Sequence, residues 1–69
     1  MHTIKSKMRE IRIQKNISQK ELSERTGLSL RCIQYYETLT TIPSIKNAYR
    51  ISRCLESSIE QIFPYDELK

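Results

Sequence analysis

Apolar residues recur along this chain at the three- and four-residue spacing of helices, in five stretches, and no stretch alternates convincingly as a strand would. In the first, Ile4, Met8 and Ile11 form an amphipathic stripe, and Asn16 stands where a left-handed residue lets the chain leave a helix. The second announces its start three times. Ser18 can cap the free backbone N–H groups, Glu21 three residues on completes a capping box, and Ile17 and Leu22 form a hydrophobic staple. Gly27 then falls where the backbone must take positive φ, so this helix is predicted from about Gln19 to Thr26. Ser29 caps a third helix, with Leu28 and Ile33 as its staple, ending near Thr38. Pro43 and Ser44 open a fourth. Its buried face is predicted to carry Ile45, Ala48, Ile51 and Leu55, with Tyr49 and Ser52 at the borders and Glu56 at the end. Ser58 and Gln61 form another capping box for a short fifth helix, which brings Ile59, Ile62 and Phe63 to the core before Pro64 stops it. The tail from Tyr65 to Lys69 carries no assignment.

The expectation is an all-α, compact five-helix bundle. Two short capped helices joined at Gly27, the second and third, make a helix-turn-helix, the arrangement by which many small proteins hold one helix in the major groove of DNA. At 69 residues the chain is one domain, 1–69, with its core over about 4–63 and a short tail over 64–69. That is near the lower limit at which one hydrophobic core suffices, so a dimer partner would help.

No apolar run approaches the ~18 residues needed to cross a bilayer, and neither a secretory segment nor an internal repeat is present, so a soluble, cytoplasmic chain without membrane contact is expected. Cys32 and Cys54 are too far apart for a short metal motif and the sole histidine, His2, sits at a terminus expected to fray. The two cysteines are read as small space-filling residues in a reduced protein without metal or other cofactor. An enzyme is not expected. No acid or base adjoins a nucleophile in a recognisable arrangement, and with one glycine no phosphate-cradling loop can form.

The net charge is +4, and its placement matters more than its size. Lys5, Lys7, Arg9, Arg12 and Lys15, against Glu10 alone, hold the whole excess within the first fifteen residues. The remaining seven basic and seven acidic side chains cancel. A nucleic-acid binder shows such a balance, and so does an ordinary solvated basic face.

The run IRIQKNISQKELSERTGLS, followed by IQYYE, IPS and IEQIF, resembles the phage repressor and Cro class of helix-turn-helix regulators, the xenobiotic-response-element family, over roughly residues 4 to 63. Ser18-Gln19, Gly27, Tyr36-Glu37, Pro43-Ser44 and Ile62-Phe63 carry the likeness in register. The resemblance implies the lambda-repressor-like fold and a sequence-specific duplex-DNA-binding regulator, a repressor acting as a dimer on a palindromic operator. It implies that Gln19 meets a DNA phosphate from a helix N-terminus. Ser29, Leu30, Arg31, Gln34 and Tyr35 take the exposed positions that meet bases and phosphates, with Cys32 facing a phosphate from the same side. Arg31 suits guanine O6 and N7, Gln34 suits adenine or a phosphate, and Leu30 suits a thymine methyl. Tyr36 takes the buried aromatic position, and Arg12 and Glu37 take those of a buried salt bridge.

Two departures bear on function. Thr38-Leu39-Thr40-Thr41-Ile42 replaces the family's usual Asn-Gly turn and basic residues, so phosphate contacts from Thr38 and Thr40 would be hydroxyl or backbone rather than ionic. Glu56 stands where Gly or Asn is usual, which predicts a slightly strained left-handed residue. Ile59, Phe63, Tyr65 and Leu68 offer more apolar surface than one small domain needs and are the expected homodimer interface. The alternative is an antitoxin-like module, which uses this fold to hold a partner protein and its own promoter; Leu39 and Ile42 would then form a small partner surface.

Overall fold

The computed structural model describes residues 2–67. Five helices follow one another: α1 (Met8–Gln14), α2 (Gln19–Thr26), α3 (Leu30–Thr38), α4 (Ile45–Leu55) and α5 (Ile59–Ile62). Two three-residue strands flank them, β1 (His2–Ile4) and β2 (Tyr65–Glu67).

Four of the five helices start on a serine whose Oγ accepts the N–H three residues ahead: Ser18 from Glu21 at 3.0 Å, Ser29 from Cys32 at 3.1 Å, Ser44 from Asn47 at 3.2 Å and Ser58 from Gln61 at 3.0 Å. Only Ser58 completes the reciprocal box, its N–H donating to Gln61 Oε1 at 2.8 Å. The box expected at Ser18 is half made, because the Glu21 carboxylate turns outward to accept from Arg25 Nη2 at 2.5 Å. An oppositely charged side chain one turn along competes for the same carboxylate.

Three helices also end alike. The N–H of Ile17 reaches back to Arg12 O, that of Thr40 to Tyr35 O and that of Ser57 to Ser52 O, at 3.1, 2.9 and 3.1 Å. The preceding residue, Asn16, Leu39 or Glu56, takes φ of 58, 57 or 51° and donates to the next carbonyl along, the paired pattern that closes a helix on a left-handed residue. Glycine suits that conformation best, and this chain spends its only glycine on the end of α2, where Gly27 has φ 75°.

Met8, Leu22, Ile33, Ile51, Leu55 and Ile62 are fully enclosed, one or more from each helix, and Tyr36 joins them with its hydroxyl accepting from Asn47 Nδ2 at 2.9 Å. Two expectations about the buried faces fail. Ile4 lies in β1 rather than in the stripe of α1, and Ile45 is 77% exposed although its spacing puts it in phase with Ala48 and Ile51. Among the described residues, the first turn of α4 faces an open groove rather than a close-packed neighbour, which leaves Ile45 uncovered.

The ends of the described chain do not trail. β1 and β2 pair antiparallel, with His2 opposite Glu67 and Ile4 opposite Tyr65, so His2 stands in a paired strand and the start of the tail has an assigned conformation. Backbone bonds from Lys5 to Pro64 O at 2.9 Å and from Lys7 to Ile62 O at 2.8 Å continue the tie into α1, which has no side-chain cap. This terminal ribbon is an addition to the all-α bundle, not a rearrangement of it.

Candidate nucleic-acid interface

The turn between α2 and α3 is held by side chains on either side of Gly27. Thr26 Oγ1 donates to Leu22 O at 2.7 Å and accepts from the Leu28 N–H at 3.3 Å, while Ser23 Oγ donates to Leu28 O at 2.5 Å. These bonds anchor Leu28 before α3 begins. Nothing in residue type singles out Thr26 or Ser23; the signal was only that small hydroxyl residues flank a predicted turn.

The second constraint comes from Arg12. Its Nε donates to Glu37 Oε2 at 2.6 Å and its Nη1 to Ile17 O at 2.9 Å, with Arg12 8% exposed. Glu37 Oε1 accepts from Gln19 Nε2 at 3.0 Å, so one carboxylate binds side chains from α1 and α2 and fixes both against α3. Gln34 Nε2 reaches Gln19 Oε1 at 3.5 Å, a long contact that brings the two glutamines side by side at the surface.

Leu30, Arg31, Gln34, Tyr35 and Thr38 share one face of α3 and are all exposed, with Ile33 and Tyr36 buried on the other. Gln19, at the first position of α2, borders that face, and Ser29 caps its start. The Thr38 hydroxyl contacts the carbonyls of Gln34 and Tyr35 at 3.2 and 3.3 Å and lies 2.8 Å from Thr40 Oγ1, which gathers two hydroxyls at the C-terminal end of α3. Cys32 does not join them. It falls on the opposite flank of the helix and packs against the core, which corrects the expectation that it faces a phosphate from the same side.

One further residue belongs to this surface. Arg9, exposed on α1, shares a cleft with Arg12, Gln19, Gln34, Glu37 and Thr38. The concentration of charge in the first fifteen residues marked the region but not the residue, because only the packing of α1 against α3 brings Arg9 there.

A second surface lies apart from these residues. Ile4, Ile42, Pro43, Ile45, Ala48, Ile59, Phe63 and Tyr65 line an apolar groove of about 200 Å³ between the terminal ribbon, the start of α4 and α5. Of the expected dimer residues, Ile59 and Tyr65 form its walls, Phe63 is largely buried beneath it, and Leu68 lies outside the described residues. Ile42 and Ile45 are the most exposed residues of the groove; Ile42 was expected at a surface only with Leu39 and for a partner protein, and Ile45 was expected in the core.

Among the described residues no group of three or more His, Cys, Asp or Glu side chains is disposed to hold a metal ion, and no helix is long and apolar enough to cross a membrane. The helix-turn-helix family model matches residues 8–62, which span α1 to α5. Two proteins of Archaeoglobus fulgidus, each described as an uncharacterized HTH-type transcriptional regulator, are 36% and 30% identical to this chain over 64 residues. Each alignment covers 93% of the chain and 90% or 91% of the relative. With the capped α2–turn–α3 unit and its exposed polar face, these matches establish that the chain belongs to the Cro/C1-type, XRE-like helix-turn-helix family of DNA-binding transcriptional regulators.

Proposed function

We propose that the protein is a repressor that binds a palindromic operator as a symmetric homodimer, with α3 of each copy in the major groove. The observation that carries this reading is the continuous exposed face made by Leu30, Arg31, Gln34, Tyr35 and Thr38, bordered by the half-buried Gln19 and held by the Arg12–Glu37–Gln19 bonds. On this reading Arg31 takes guanine through two parallel hydrogen bonds, Gln34 takes adenine or a phosphate, and Leu30 lies on a thymine methyl. Gln19, Ser29, Tyr35, Thr38, Thr40 and the added Arg9 meet phosphates and set the register. Repression follows as the simplest outcome, since occupying a promoter needs no further contact, and the work is done in the cytoplasm.

The apolar groove supports the dimer. A single domain buries only about 600–1,000 Å² on DNA, and two half-sites about one helical turn apart are the usual route to useful affinity. The same groove favours a second reading, in which it seats a partner protein as an antitoxin-like module would.

Selection of bound duplexes from a randomised library at about 0.15 M salt separates the readings. Enrichment of a palindrome is the expected result, and Arg31→Ala should cost ~1–3 kcal/mol on that sequence and relax preference at one base pair of each half-site. Enrichment of a lone half-site would remove the dimer. No enrichment from folded protein would transfer the weight to the partner-binding reading, and a uniform loss across sequences would make Arg31 a phosphate contact.

A further inference from the structure

The basic residues beyond the first fifteen are balanced in number by acidic ones, but not in space. α4 carries Lys46, Arg50 and Arg53 at helical spacing and no acidic residue at all. All three are exposed, and neither Arg50 nor Arg53 has a side-chain hydrogen bond or ion pair among the described residues. Like charges one turn apart on a helix repel. Packing of α2 against α4 adds a third guanidinium, because Arg25 of α2 borders the same depression as Thr26, Arg50, Arg53 and Cys54.

This depression is not an extension of the surface proposed to read DNA. Gln19 opens α2 whereas Arg25 and Thr26 close it, and a helix of that length sets its ends about 10 Å apart. The two clefts share no residue.

We infer that Arg25, Arg50 and Arg53 form a second anion site, one that takes a phosphate group. Among the described residues, two of the guanidiniums have no side-chain partner and the third gives up only its bond to Glu21. A phosphoryl group presents two or three non-bridging oxygens in a tetrahedral arrangement and can accept N–H groups from more than one guanidinium at once, which suits arginines that converge from two helices. The shared chemistry is the phosphoryl group. Its source is either a free phosphorylated small molecule or the backbone of nucleic acid passing the far end of α2.

Titration of the full chain with inorganic pyrophosphate at constant ionic strength, followed by NMR of the arginine Nε–Hε signals, tests the site. Saturable shifts at Arg25, Arg50 and Arg53, with Arg9 and Arg31 moving much less, are expected, and R50Q/R53Q should weaken binding by about tenfold or more. Non-saturating shifts, shifts as large at Arg9 and Arg31 as at Arg25, Arg50 and Arg53, or unchanged binding in R50Q/R53Q would overturn the proposal. A parallel titration with a duplex of arbitrary sequence separates the sources. Movement of Arg50 and Arg53 with the duplex assigns the nucleic-acid backbone; movement confined to Arg9 and Arg31, with pyrophosphate still saturable, assigns a small phosphorylated ligand. Because the proposal stands on the signals of Arg25, Arg50 and Arg53, none of them on α3, its failure leaves the operator selection and its reading of α3 unaffected.

Discussion

Glu37 shows how a single residue sets the geometry of the whole reading head. It accepts Arg12 on one oxygen and Gln19 on the other, so the side chain proposed to touch a phosphate is bonded to the anion that closes the core behind it. A buried carboxylate stripped of its cation is costly, whereas replacing both charges with apolar groups is often tolerated. Arg12→Ala is therefore expected to lower stability by ~3–5 kcal/mol, read as a fall in the urea midpoint, and Arg12→Met with Glu37→Met should recover a large part of that loss. An unchanged midpoint in Arg12→Ala would show that the pair contributes nothing. The pair was legible from the sequence only through its likeness to other chains, since residues 25 positions apart share no local signal.

At the scale of elements, starts and ends were unequally legible. Ser18, Ser29, Ser44 and Ser58 mark their helices because a cap is a local contact made within three residues. Asn16 and Glu56 were readable as left-handed closers, but Leu39 was not, because a leucine at φ 57° contradicts its own preference. Leu39 packs partly against the core, so tertiary contact holds a conformation that the residue type disfavours. Glu56 is exposed and gains no such packing. Glu56→Gly should therefore stabilise the protein by about 1 kcal/mol, seen as a higher urea midpoint with an unchanged m-value. Ile45 fails for the opposite reason. Periodicity states which side chains share a face, not whether anything stands opposite them.

For the molecule as a whole, the cost of that uncovered face is an exposed apolar strip that includes Ile42 at 64%, Ile45 at 77% and Tyr65 at 58%. Contiguous patches of this kind mark interaction surfaces in small soluble domains. If the strip is the homodimer seat, Ile45→Glu should leave the unfolding midpoint of the monomer within about 0.5 kcal/mol of the parent, as substitutions at exposed positions do. The same variant should abolish concentration-dependent association in sedimentation equilibrium and weaken binding to the full palindrome far more than to a half-site. Self-association that survives Ile45→Glu would move the dimer elsewhere.

The terminal ribbon lends this strip a different sensitivity from the rest of the protein. Ile4 and Tyr65, two walls of the groove, are held in place by a sheet of three residue pairs, whereas α2 and α3 are locked into the core by Leu22, Ile33 and Tyr36. Local opening draws first on the parts of a structure with the fewest buried contacts, so the chain ends can part while the reading head stays folded. Self-association would then respond to whatever is fused to, or trimmed from, either terminus. If the strip is the homodimer seat and α3 the reading helix, a tag placed there would change how many copies meet on DNA without altering which bases each copy reads.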